Sequence, residues 1–209
     1  MDLDSQKTFS KLEDDYWWFV GRRIIIENLL QKNFKKNKRE ILDWGCGTGK
    51  NNFLLSKFGN VLGVDSSSHY IEINKKKGIL NVLQANNINE FKSDIYYDLV
   101  TNFDVLEHIR KDEEYLKKVN NLLKPNGHIL ITVPAYQFIW TKLDQVLGHY
   151  RRYNKQAINS LLEKTGYEII KSSYFFTILS PLFIMIRLFQ KYTNQSGSLD
   201  KSVVKVPIV

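Results

Sequence analysis

The sequence predicts an α/β fold: a doubly wound, mainly parallel sheet of six or seven strands with helices on both faces. Three observations carry the prediction. Short apolar runs alternate with longer segments of helical periodicity, as in βαβ units whose sheet is buried on both sides. The first run, EILDW, ends in a glycine-rich turn, GCGTG, that opens a helix. The second, NVLGVD, ends in Asp65, about twenty residues after the first glycine of that turn.

In chain order, residues 20–33 (VGRRIIIENLLQKN) place Ile24, Ile25, Leu29 and Leu30 largely on one helical face, and FKKNKRE reads as a charged connector. EILDW is the first strand and KNNFLLSKF the helix beyond its turn; NVLGVD is the second strand, followed by a helix through SHYIEINKKK. ILNVLQ reads as the third strand, YYDLVTN as the fourth and KDEEYLKKVNNLLK as an amphipathic helix. Pro125-Asn126-Gly127 supplies the turn into HILITVPA, the fifth strand. NKQAINSLLEKTG is a helix with a stop signal at Gly166. YEIIKSSYFF is the sixth strand, and PLFIMIRLFQKY is a last helix opened by Pro181. Residues 1–192 form one domain, divided into a helical cap over 1–36 and a core over 39–192, with 193–209 as a tail.

Composition narrows the class. With 209 residues the chain can bury a full core, and 43% hydrophobic and 25% charged residues are ordinary for a globular protein. The formal charge of +8 lies largely in lysine runs such as Lys75–Lys77, which read as solvated surface. No separate basic, aromatic-interleaved domain is present, so no nucleic-acid partner is expected. One cysteine, Cys46, excludes an intramolecular disulfide framework and fits a reducing compartment. The polar, acidic N-terminus does not read as a secretory signal, and a cytoplasmic location is expected. The apolar stretch Tyr174–Ile186 contains Ser180 and Pro181 and falls short of the roughly 20 residues of a membrane span. Peripheral membrane contact is its minority reading.

The glycine turn reads Asp43-Trp44-Gly45-Cys46-Gly47-Thr48-Gly49. In an open parallel sheet, ligands bind beyond the carboxyl ends of the strands, where the strand order reverses. Asp65 ends the second strand, the position from which a carboxylate can take both ribose hydroxyls. The spacing G-x-G-x-G differs from the G-x-G-x-x-G of dinucleotide sites, and Asp43 stands two positions before the first glycine. A carboxylate there repels a pyrophosphate but suits the ammonium group of an amino-acid ligand.

With these motifs, and with LQANNI, YDLVTNFDVLEHI and LLKPNGHILITVPA, residues 16–190 resemble the class I S-adenosylmethionine-dependent methyltransferases, within the group that includes ubiquinone-biosynthesis-type enzymes. The resemblance implies a Rossmann-like fold and S-adenosyl-L-methionine as cofactor. It implies that Asp43, Gly45 and Gly47 line the methionine end, that Asp65 holds the ribose and that Ser66 lies beside the adenine. Asn86 and Asn87 stand where members often carry an aspartate near the adenine amino group, so an amide carbonyl is required there. Asn102 and Phe103 flank the cofactor beside the acceptor. Members usually close the sheet with an antiparallel seventh strand; the only counterpart is the short VVKVPIV at the chain end.

Three segments offer groups to an acceptor. In Asp104-Val-Leu-Glu107-His108, His108 is the leading candidate base. A related acidic-x-x-Glu-His pattern holds a divalent ion in some members, which makes Asp104, Glu107 and His108 weak candidate ligands; no metal is expected, and helix capping explains these residues equally well. In Gly148-His149-Tyr150-Arg151-Arg152-Tyr153, His149 is a second candidate catalytic group, and Arg151 and Arg152 read as a clamp for an anionic or planar acceptor. Residues 136–147 before it read as a lid. In Tyr16-Trp17-Trp18-Phe19, Tyr16 and Trp17 offer an aromatic wall beside a sulfonium, and Arg22 or Arg23 a partner for a carboxylate. A hydrophobic anchor for the first helix explains the aromatics as well. The expected activity is methyl transfer from S-adenosylmethionine to a small-molecule acceptor, at oxygen. The alternatives are a non-catalytic module that binds the same cofactor and an NAD(P)-binding oxidoreductase.

Overall fold

Five parallel strands form one sheet in the order β3-β2-β1-β4-β5. The computed structural model describes residues 16–34 and 39–193, with Ser10 and Glu13. The elements are α1 (Trp17–Asn33), β1 (Arg39–Trp44), α2 (Lys50–Leu55), β2 (Gly59–Asp65), α3 (Ser68–Lys76), β3 (Val82–Gln84), β4 (Tyr97–Phe103), α4 (Asp112–Asn120), β5 (Leu123–Thr132), α5 (Lys142–Val146), α6 (Lys155–Lys164) and α7 (Ser180–Thr193). Single 3₁₀ turns cover Leu106–His108 and Gln137–Ile139. The chain runs outward through β1, β2 and β3, then returns to place β4 on the other side of β1. The strand order therefore reverses between β1 and β4, which is where such sheets bind ligands.

Period-2 alternation with both faces buried explains the near-continuous apolar strands. Leu42 and Val100 point into one layer, with Tyr115, Leu116 and Val119 of α4. Their neighbours Ile41 and Leu99 point into the other, with Ile26 and Leu30 of α1 and Leu54 and Leu55 of α2. Helix α1 buries Trp18, Arg22, Ile26 and Leu30, a stripe four residues apart. This corrects the expected face: Ile24 is 55% exposed, because the stripe begins at Trp18 and carries Arg22 inward instead.

Among the described residues the sheet has five strands rather than six or seven. The segment 167–176 does not pair as a strand. Its aromatic residues are drawn to α1, with Phe175 and Phe176 packed on Trp18 at 5.5 and 4.8 Å between ring centroids. The Tyr174 hydroxyl accepts the Lys155 amide at the start of α6, and Phe176 takes a positive φ of 57°. The segment thus leaves the edge of β5, and a cavity of about 1200 Å³ lies between β5, α1, α6 and residues 166–175. The tail from residue 194, with VVKVPIV, lies outside the described residues.

The remaining elements form where the periodicity places them. The turn Pro125-Asn126-Gly127 interrupts the β4–β5 ladder, whose register shifts between Tyr97 and Leu99, with Asn126 at a φ of 60°. Asn154 caps α6 by accepting the Ala157 amide, and Gly166 follows that helix at a φ of 92°. Among the described residues, no helix is long and apolar enough to cross a membrane.

Candidate active site

The glycine turn joins β1 to α2, and Gly45, Gly47 and Gly49 all have positive φ, at 81°, 53° and 82°. At Gly45 a Cβ would stand 2.2 Å from Val105 Cγ2, so packing alone requires glycine there. At Gly47 nothing lies within 4 Å of an added Cβ: the turn leaves open space on that side. The Gly47 amide donates to Asp65 Oδ2 at 2.9 Å and the Ser67 amide to Asp65 Oδ1 at 2.8 Å. These bonds fix the carboxylate at the end of β2 beside the turn. Burial nevertheless raises its pKa, against the lowering by the amides.

Asp43 is 1% exposed. Its Oδ1 accepts the Thr101 hydroxyl at 2.6 Å, whereas its Oδ2 is buried with no hydrogen-bond partner. Burial pushes its pKa up to about 7, opposed by Thr101 and Arg22 and assisted by Asp65 and Glu13. An orphaned buried carboxylate oxygen is a feature that a cationic partner would complete.

On the adenine side, the Ala85 amide bonds the Asp65 carbonyl and brings Asn86 and Asn87 next to the exposed Ser66. The Asn87 side-chain oxygen already accepts the amides of Asn89 and Glu90, which holds the loop in an Asx turn. Asn102 and Phe103 divide between the two layers. Asn102 is fully buried, accepts the Tyr115 hydroxyl at 2.7 Å and donates to the Thr101 carbonyl. Phe103 is part of the core with Ile26 and Leu30. Both side chains hold the end of β4 in place.

Arg22, 4% exposed, reaches this region from α1 and pairs with Asp104. Burial lowers its pKa to about 10, so it stays charged, and Glu13, Glu107 and Asp43 act on it. Asp104 follows β4 at a φ of 56°, held by its amide on the Thr132 carbonyl and by the Thr132 hydroxyl on its Oδ1.

Beyond Arg22 lies a second cluster. One ligand atom each of Glu107, His108 and His149 fall within 4.8 Å of one another. The two histidine rings meet edge to face, 4.7 Å apart. Their Nδ1 atoms bond the Gly148 carbonyl and Asp144 Oδ1, each at 3.2 Å. Since both partners are acceptors, each Nδ1 donates, which leaves the Nε2 of a neutral His108 with its lone pair. Burial and the neighbouring His149 lower the His108 pKa to about 4. Glu107 is 1% exposed, its Oε2 has no partner, and burial raises its pKa to about 8. Asp104, engaged by Arg22 and Thr132, stands apart from this triad.

The adjacent arginines separate. Arg152 turns inward, with Nε 2.7 Å from Asp144 Oδ1 and a bond to the Ala135 carbonyl. Arg151 turns outward to Asp112 and the Arg110 carbonyl. Trp17 stacks on Phe183 of α7 at 5.6 Å and meets Phe176, so its ring anchors α1 to α7. The Tyr16 hydroxyl is buried without a partner.

Three residues absent from the sequence expectations belong here. Arg187 of α7 is 1% exposed and donates to Thr141 Oγ1 at 2.8 Å, with its Nε unpartnered. Asp144, fully buried, joins His149, Arg152 and the Thr141 amide. Burial opposes its ionisation, but these partners hold it well below the usual carboxylate range. Glu13 accepts the hydroxyl of Thr48, within the glycine turn. A lone cation in the apolar run FIMIRLF was a readable signal for Arg187; the other two carry none.

Residues 18–172 match the family model described as a methyltransferase domain. A ubiquinone biosynthesis O-methyltransferase of Rickettsia felis is 34% identical over 200 residues, covering 81% of this chain and 82% of that protein. A probable S-adenosylmethionine-dependent methyltransferase of Mycolicibacterium smegmatis is 24% identical over 173 residues, and the match covers 81% of this chain. The chain spans 66% of the length of that mycobacterial relative. Among solved structures, an N-methyltransferase of Bradyrhizobium japonicum in complex with S-adenosyl-L-homocysteine superposes with a TM-score of 0.57 at 19% identity, covering 72% of this chain and 76% of that one. On its sequence match and its parallel sheet with a glycine turn after β1, the chain belongs to the methyltransferase domain family and has the class I fold.

Proposed function

We propose that the protein transfers a methyl group from S-adenosylmethionine to an oxygen of a small-molecule acceptor, in the cytoplasm. The observation that carries the reading is the glycine turn with its two carboxylates: Asp43 Oδ2 is buried and unpartnered, the space beside Gly47 is open, and Asp65 is fixed on the Gly47 amide. This recess is acidic and lacks the G-x-G-x-x-G spacing, which disfavours a pyrophosphate and therefore NAD(P). The residues fit the cofactor: Asp43 would face its ammonium, Asp65 its ribose hydroxyls, and Ser66 and Asn86 its adenine. When bound it supplies an electrophilic sulfonium methyl.

The chain's own part is placement and proton transfer. His108, with Nδ1–H held by the Gly148 carbonyl, would present Nε2 to take the hydroxyl proton of the acceptor. His149, set by Asp144, lies against His108 and keeps its ring in place. Arg152 and Arg187 give this end of the site positive charge for an anionic or planar acceptor. The Rickettsia relative, a ubiquinone biosynthesis O-methyltransferase, supports a quinone-like acceptor.

A divalent ion on Glu107, His108 and His149 is a second reading, favoured by the orphaned Glu107 Oε2 and the convergence of the triad. The two Nδ1–H bonds are the outer-shell support that metal-ligating histidines use, and an ion there would supply Lewis acidity at the acceptor oxygen.

The test is thermal unfolding with S-adenosylhomocysteine or NAD, on wild type and Asp65→Ala. A ligand at about 100 times its Kd adds roughly 2.7 kcal/mol, worth on the order of 2–4 °C per kcal/mol at this size. A shift with S-adenosylhomocysteine that Asp65→Ala abolishes is expected; a shift with NAD alone sinks the reading. Transfer of labelled methyl to hydroxyl-bearing quinone-like compounds then tests the acceptor class.

A further inference from the structure

We infer that Glu13 makes the cofactor recess charge-selective, so that it prefers the cationic methyl donor over the neutral thioether left after transfer. The inference rests on the cofactor reading above. It starts from three carboxylates gathered at one turn. Asp65 has an amide on each oxygen, and Asp43 has one oxygen unpartnered. Glu13 arrives from before α1 and takes the hydroxyl of Thr48, which is 2% exposed. Its charge acts on Arg22, Asp43, Cys46 and Tyr70 alike, so it stands over the same recess.

Cations near these carboxylates already have partners. Arg22 is paired with Asp104, and Lys77 Nζ reaches the Thr48 carbonyl at 3.2 Å. Bringing a further carboxylate against Asp43 is repulsive, and a cation in the recess offsets that repulsion. S-adenosylmethionine carries ammonium, sulfonium and carboxylate, for a net charge of one positive. Once the methyl group leaves, the sulfur keeps its electron pair as a thioether and the net charge is zero. The ammonium is common to both forms, so the difference that Glu13 can sense is the sulfonium. Asp43 and Asp65 belong to the strand framework, whereas Glu13 is contributed by the segment before α1. That segment therefore adds selectivity against product to a recess the sheet already forms.

Isothermal titration of wild type, Glu13→Gln and Thr48→Val with three probes decides it. The probes are S-adenosylmethionine, sinefungin (an amine cation in place of the sulfonium) and S-adenosylhomocysteine. Wild type should bind both cations more tightly than the thioether. Glu13→Gln should shrink that preference by up to about fivefold, the range of a part-exposed charge pair, with the thioether affinity unchanged. Thr48→Val, which removes the anchor and keeps the charge, should move the ratio the same way by less. An unchanged ratio in Glu13→Gln overturns the inference. So does equal weakening of all three probes, which would place Glu13 on the shared ammonium or in the fold. Wild type that binds none of the probes removes the cofactor reading itself, a separate result.

Discussion

Arg22, from the helix that precedes the sheet, forms an ion pair with Asp104, the residue that follows β4 at positive φ. The pair joins the cap to the strand end, and both Asp43 and Glu107 act on Arg22 there. The Arg22 side chain is 5% exposed and that of Asp104 31%, so only one partner is fully desolvated. Removing the arginine would leave Asp104 facing the other site carboxylates without its counter-charge. Arg22→Met should cost about 2–3 kcal/mol, below the ~3–5 kcal/mol of a fully buried pair. Asp104→Asn should cost less in the Arg22→Met background than in wild type. Urea denaturation of the four proteins of that cycle measures the coupling, and additive losses would show that the contact is geometric only.

Asp43 makes the cofactor's affinity depend on pH in a definite direction. Its pKa is raised to about 7 in the fold by burial, above its ordinary value. The unfolded chain therefore releases this proton first, and stability falls as pH rises from about 4 to 7. A cationic ligand favours the ionised carboxylate, so S-adenosylmethionine should bind more tightly as pH rises through about 7 and then level off. Asp43→Asn keeps an oxygen for the Thr101 hydroxyl while removing the charge. It should raise the melting temperature of the unliganded protein at pH 8 and weaken cofactor binding, the trade expected where a site stores strain. Titrations across pH 5–9 on both proteins check this; a flat wild-type profile would mean that Asp43 does not face the cation.

The glycine turn was legible because backbone geometry writes itself into sequence: three positive φ angles and a close approach to Val105 leave little choice but glycine. Asp65 was legible because β2 pairs in register with β1 and ends beside that turn. Arg151 and Arg152 were not separable, since neighbouring residues point apart only once the backbone is known; one binds Asp112 and the other Asp144. The sixth strand was misread for a related reason. Apolar residues at 167–176 indicate burial but not the partner, and here Phe175 and Phe176 serve α1. Asp144 and Glu13 reach the site through packing of distant segments, which no local pattern records.

The histidine pair separates the two acceptor-side readings. If His108 is the base, protein treated with EDTA keeps its methyl transfer, and His108→Ala loses about 10²–10⁴-fold in rate. His149→Ala should then lose less, because it orients the ring without receiving the proton. If the triad holds an ion, EDTA removes activity, and cobalt(II) restores it with visible absorption that Glu107→Gln weakens. Persistence of activity in His108→Ala without metal would exclude both.

Gly47 and Gly45 have similar backbone demands but different surroundings, and alanine at each should therefore fail in a different way. Both have positive φ, which costs an alanine roughly 1 kcal/mol. At Gly45 the new Cβ also collides with Val105, adding about 1–3 kcal/mol of overpacking, so Gly45→Ala should be the less stable protein in urea. At Gly47 the Cβ meets nothing within 4 Å, so Gly47→Ala should fold with only the backbone penalty. Its Cβ would, however, occupy the space left open for the ligand. The stabilisation that S-adenosylhomocysteine gives wild type should accordingly be largely lost in Gly47→Ala although the fold survives. A Gly47→Ala protein that keeps the full ligand-induced shift would mean the open side of the turn is not where the cofactor lies, and the site would have to be sought on the other side of Asp65.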